Sequence, residues 1–110
     1  MRVHLIKKQA IENYIICHAT GKNSFENWFS VIKYADWIKP DDIKKSFRSS
    51  DILGNGSSRV VFDIGGNNYR MICKYHFGRS MVHLFVCWIG THADYTELCK
   101  HGDQFTTNVY

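Results

Sequence analysis

Arg70, Lys74 and Arg79 lie with His76, His83 and His92 between Ile64 and Ala93, a stretch that contains no aspartate or glutamate. Cations without carboxylates among them favour an anionic partner. The plainer alternative is a run of buried strands, which exclude carboxylates in any case. Two chemical jobs suit these residue types. The fork of an arginine such as Arg70 grips phosphate oxygens bidentately and keeps its charge. An imidazole such as His92 titrates near neutral pH and can move a proton. Tyr95 follows His92 by three residues, so on a helix it projects from the same side. Lys74 and His76 offer a second base or a grip on phosphates, and Arg59, Arg79 and His83 offer further contacts. Each also has a structural reading. His92 can cap a helix, Tyr95 can be a core residue with a wet hydroxyl, and His76 with His83 can be a cross-strand pair. Arg70 can simply answer Asp63.

The chain that must position these groups has 110 residues, expected to form one domain spanning 1–110. Hydrophobic residues make up 45% and aromatics 15%, enough for a real core and against wholesale disorder. A net charge of +4 is too mild to argue for nucleic acid without the clustering described above. Cys17, Cys73, Cys87 and Cys99 form no CxxC. Scattered thiols with no secretory signal ahead of the first helix are expected of a reducing cytoplasm. No apolar run approaches the ~20 residues that span a bilayer, so no membrane partner is expected. A zinc site would need Cys73 with His76 or His83 with Cys87, but Cys73 and His76 point to opposite faces of a strand. No metal and no cofactor are expected.

Arg2 to Ile6 reads as a short strand and Lys7 to His18 as a helix, ended by Thr20-Gly21. Asn23 with Glu26 resembles a capping box opening a second helix, on which Phe25, Trp28, Phe29, Ile32 and Ala35 share one face. Asp41 to Phe47 predicts one or two helical turns, and Ser49 to Ser58 a polar loop. Strand patterns start at Arg59. Gly65-Gly66-Asn67-Asn68 signals a hairpin, followed by strands over Tyr69–Phe77 and Val82–Ile89. Thr91 then predicts the N-cap of a short helix with Asp94 in its first turn. Gln104 to Tyr110 reads as an edge strand or a loose tail. The class is α+β, an antiparallel sheet of three to five strands with two N-terminal helices on one face and a short helix after the last main strand.

Alternation places Tyr69, Met71, Cys73, Tyr75 and Phe77 on one face and Arg70, Ile72, Lys74 and His76 on the other. Four-residue hairpin loops then pair Ile64 with Tyr69, Phe62 with Met71, Phe77 with Val82, Tyr75 with Leu84 and Met71 with Trp88. A one-residue slip would bury polar groups, so the register is specified. Asp63 falls opposite Arg70, and Arg59 opposite Lys74, two cations that repel unless an anion joins them. Trp28, Trp37 and Trp88 are expected in the core.

Phe62-Asp63-Ile64-Gly65-Gly66-Asn67-Asn68-Tyr69-Arg70 and Ile89-Gly90-Thr91-His92-Ala93-Asp94-Tyr95 resemble the two signature segments of the HigB family of toxin–antitoxin toxins. Trp37-Ile38-Lys39-Pro40 with Asp42 to Phe47 resembles the family's middle segment. The resemblance covers nearly the whole chain. It implies a RelE-like fold and metal-independent cleavage of messenger RNA, usually on the ribosome. It also implies a HigA-type helix-turn-helix antitoxin as partner, with operator DNA reached only through that complex. Cys87 stands where many relatives carry arginine, and Thr96 where many carry aspartate.

In RNA the 2′-hydroxyl attacks the neighbouring phosphorus once a base takes its proton; cations must then hold the new charge and an acid must serve the leaving oxygen. On this resemblance Arg70, His92, Tyr95 and Lys74 form the expected catalytic set, with Arg59, His76, Arg79 and His83 holding RNA. Two rivals stand beside it. One is a binding toxin of the same fold that poisons a target such as DNA gyrase without cutting. The other is a degenerate protein that keeps only its antitoxin.

Overall fold

The computed structural model describes all residues, 1–110. It has five strands and four α-helices: β1 (Arg2–Ile6), α1 (Lys8–Cys17), α2 (Lys22–Tyr34), α3 (Asp41–Ser46), β2 (Asp51–Leu53), β3 (Arg59–Ile64), β4 (Tyr69–Phe77), β5 (Met81–Thr91) and α4 (His92–Lys100). The strands form one sheet in the order β1-β5-β4-β3-β2. This α+β arrangement is the RelE-like one expected, with two differences. The sheet is mixed, because β1 lies parallel to β5, reached by a long crossover through the helices that no hairpin signal could announce. β2 sits inside the segment expected to be loop, where Asp51, Ile52 and Leu53 add an antiparallel edge to β3.

Helices α1 and α2 cover one face, where Phe25, Trp28, Phe62, Met71, Cys73, Leu84 and Val86 are buried in the main core. Trp28 meets Phe62 edge-on at 5.3 Å, and Phe47 meets Phe62 at 4.9 Å, the edge-to-face geometry that aromatic quadrupoles favour. The capping box expected at Asn23 does not form. A 3₁₀ turn over Ala19–Gly21 starts α2 two residues earlier, with Gly21 as an N-cap that has no side-chain bond. Gly21 is there for closeness, since a Cβ would come within 2.7 Å of the Tyr69 ring. The box expected at Thr91 does form. The Asp94 N–H donates to the Thr91 hydroxyl, and the Thr91 N–H donates back to the Asp94 carboxylate.

The central register agrees for most pairs: Ile64 with Tyr69, Phe62 with Met71, Tyr75 with Leu84 and Phe77 with Val82. It breaks at one point. Cys73 pairs with Val86 but Ile72 pairs with Trp88, leaving Cys87 as an extra residue in β5. A β-bulge of this kind shifts the alternation. Met71 therefore faces Ile89 rather than Trp88. Trp88, expected in the main core, instead turns to the outer face, against a second cluster of Val61, Ile72 and Cys87. That cluster is covered by Tyr95 and Leu98 of α4, so the outer face is not open along its whole length.

Gly90 is the position where this arrangement leaves no space. A Cβ there would fall 2.4 Å from the Trp88 ring and 3.2 Å from Asp94. Gly90→Ala is expected to displace Trp88 and the start of α4, with overpacking costing about 1–3 kcal/mol. Urea unfolding monitored by tryptophan fluorescence checks this, and an unchanged midpoint would refute it.

Candidate nucleic-acid interface

The outer face divides into three zones along β4 and β5. At one end α4 and the β3–β4 turn surround Arg70. The expectation that Arg70 lies open is corrected here, because it is 7% exposed. Its Nε donates to Asp63 at 3.0 Å, its Nη1 to the carbonyls of Tyr69 and Gly66, and its Nη2 to the Asn67 side chain. The guanidinium therefore braces a turn in which Gly65 and Gly66 both adopt positive φ. Burial raises the Asp63 carboxyl, against the lowering pull of Arg70 and, less strongly, of His92. His92 is exposed on the first turn of α4, and its backbone N–H donates to the Asn68 carbonyl. Tyr95 is half-buried, its ring 6.1 Å from that of Trp88. Burial and a hydrogen bond with Cys99 push its hydroxyl up, so at neutral pH it acts only as a protonated group. Asp63, Arg70, His92 and Tyr95 thus gather around the N-terminus of α4.

In the middle zone the C-terminal segment lies across the sheet. It is neither an edge strand nor loose. After a 3₁₀ turn over Asp103–Phe105, the Val109 N–H donates to the Cys87 carbonyl. Arg59 is buried beneath this segment and donates to the carbonyls of Thr107 at 2.6 Å and Gln104 at 3.3 Å. The expected clash between Arg59 and Lys74 is thereby relieved, because Arg59 turns to carbonyl oxygens and Lys74 to solvent.

The third zone is open. Lys74, His76 and Arg79 are exposed, and His83 is partly so. Neither Lys74 nor Arg79 forms an ion pair. His83 stacks on His76 at 6.1 Å and meets His4 of β1 at 5.6 Å, edge-on. His4 was missed because only the parallel pairing of β1 with β5 brings it into this row. A cleft of about 400 Å³ between the second and third zones is lined by Lys7, Arg59, Lys74, His76, Phe85, Val86, Cys87 and Asn108, without a carboxylate. Cys87 is the bulge residue and is buried against Val61 and Ile72. No three of the His, Cys, Asp and Glu residues converge on a metal-sized point. No helix is long and apolar enough to cross a membrane.

The expected catalytic residues are therefore brought together only in part. Arg70, His92 and Tyr95 share the α4 end, whereas Lys74 lies four residues farther along β4, about 13 Å away at ~3.3 Å per residue. Lys74 and Arg70 therefore sit at separate places on the face rather than converging on one point.

Residues 21–98 match the model of a family described as HigB toxin, the RelE-like toxic component of a toxin–antitoxin system. The chain belongs to the HigB toxin family. It is also 27% identical over 99 residues to an mRNA interferase HigB of Escherichia coli O6:H1, an alignment covering 90% of this chain and 94% of that protein. The family model takes in both signature segments, and with them Asp63, Arg70, His92 and Tyr95. It ends before the segment that covers Arg59.

The buried Arg70–Asp63 pair carries a stability prediction. Arg70→Ala leaves Asp63 and three carbonyl or amide oxygens without their donor. A loss of about 2–3 kcal/mol is expected, since Asp63 keeps some contact with water. The pH dependence has a definite sign. A raised Asp63 binds its proton more tightly in the folded state, so its contribution is full at low pH and is lost as pH rises through the carboxylate range. Removing Arg70 widens that loss. The melting-temperature deficit should be largest at pH 7 and shrink towards pH 4, and calorimetry at both pH values tests it.

Proposed function

We propose that this HigB-family toxin is a metal-independent endoribonuclease that cuts messenger RNA, with its substrate lying along the outer sheet face from the α4 end to the histidine row. One observation carries the reading. The three central strands hold a single carboxylate, Asp63, already answered by Arg70, while Lys74, Arg79, His76 and His83 face solvent with no acidic partner. Exposed cations of this kind hold successive phosphates and fix the strand without reading its sequence.

In this reading His92 takes the 2′-hydroxyl proton or returns one to the leaving oxygen. It is exposed on the first turn of α4, near Asp63 and Arg70. Arg70, paired with Asp63, holds the turn that carries Asn67 and Asn68 beside the reacting phosphate. Tyr95 supplies a protonated hydroxyl. Lys74, His76, Arg79 and His83 bind the flanking strand. The relative from Escherichia coli is named an mRNA interferase, and this chemistry is consistent with that name. The partner is a HigA-type antitoxin that covers this face, the working site is the cytoplasmic ribosome, and operator DNA is met only through the antitoxin complex.

His92→Ala should fold as the parent does and lower cleavage by about 10²–10⁴-fold. Lys74→Ala should weaken RNA binding and flatten its salt dependence more than it slows the chemical step. Mapping messenger RNA 5′ ends after induction without the antitoxin, beside circular dichroism of each variant, measures both. Growth arrest by a parent protein that leaves messenger RNA intact would replace this reading with that of a binding toxin of the same fold.

A further inference from the structure

Lys7, between β1 and α1, breaks three local rules at once. It sits at φ +68°, a left-handed conformation that side chains other than glycine, asparagine and aspartate adopt reluctantly. It is the N-cap of α1, where a short oxygen-bearing side chain would accept a backbone N–H, and no side-chain cap is present. It also adds positive charge, next to Lys8, at the positive end of a helix whose first turn has no acid. Glycine, asparagine or aspartate would serve the fold better on one or more of these counts. A residue that defies its local environment without a gain to the fold points to function.

The side chain shows what is gained. It leaves the β1–α1 junction towards the outer face, where its ammonium donates to the Tyr110 carbonyl. There it lines the same cleft as Arg59, Lys74 and His76, with Phe85 beside them. The parallel pairing of Ile6 with Phe85 sets Lys7 level with the next residues of β5. We infer that Lys7 is a phosphate-binding residue of the RNA groove, holding the strand opposite Lys74, and that the Tyr110 carbonyl occupies its ammonium while RNA is absent. This deepens, and rests on, the reading of the outer face as an RNA surface.

Glycine at position 7 separates binding from folding, because it adopts positive φ freely and is an accepted N-cap. Lys7→Gly should therefore melt no lower than the parent. Its affinity for a fluorescein-labelled single-stranded RNA decamer should fall by about five- to tenfold at low salt. The slope of log affinity against log salt should drop by about 0.7, the value for one phosphate contact on a single strand. Lys7→Arg should restore most of both. A protein shortened after Thr107 tests the alternative that Lys7 only anchors the tail, and it should keep the parent's slope. Parent-like affinity and slope in Lys7→Gly would overturn the inference, as would a shortened protein that matches Lys7→Gly. A parent that cleaves messenger RNA while Lys7→Gly binds normally removes Lys7 alone. A parent that binds no RNA removes both readings.

Discussion

The extra residue in β5 decides which layer each side chain of the outer face belongs to. Without it, strict alternation would continue Val82, Leu84 and Val86 into Trp88 on the helix-covered side. With Cys87 inserted, Trp88 points outward and Ile89 inward. The outward Trp88, with Ile72 and Val61, makes a small apolar floor, and α4 has something to sit on. Thr91 then closes a reciprocal cap with Asp94, which starts the helix where the strand ends. The position of His92 and Tyr95 beside Arg70 follows from that docking. One irregular residue thus links the geometry of the sheet to the grouping of the residues assigned to chemistry.

Charge on the outer face is sorted by burial. Arg59 and Arg70 have lost their water and are held by carbonyl oxygens and, for Arg70, by Asp63. A buried guanidinium is tolerated only when its donors are answered, and here each is tied to an irregular segment, the C-terminal tail for Arg59 and the β3–β4 turn for Arg70. Lys74, His76 and Arg79 keep their water and remain available to an anion. Residues of similar type, on the same sheet face, divide in this way into buried braces and hydrated cations.

Local strain supports the same division. Most positive-φ positions outside β4 and β5 are glycine, or asparagine and serine in turns, where sterics allow it. Lys7 is neither small nor in a hairpin, and its side chain ends among cations in the one cleft that borders both the tail and the open zone. Stability given up at such a position is intelligible only through what the side chain reaches.

Much of the architecture was legible in the residues themselves. Alternation in Tyr69–Phe77 specified which side faced the helices, because an apolar strip cannot be left in water at a cost of roughly 25 cal/mol per Å². The Gly65–Asn68 turn and the Thr91–Asp94 cap depend on contacts only a few residues apart, and both stand as read. The basic stretch and the residues His92 and Tyr95 could be named on type and spacing. What the sequence could not show involves partners far apart in the chain. The parallel seat of β1 brings His4 and Lys7 to the outer face. The bulge depends on how β5 accommodates both β4 and α4. The return of the tail over Arg59 spans 48 positions. Local periodicity reports which face of an element is apolar. It carries no information about which distant element will cover the polar one, and that choice determined which cations are buried and which stay in water.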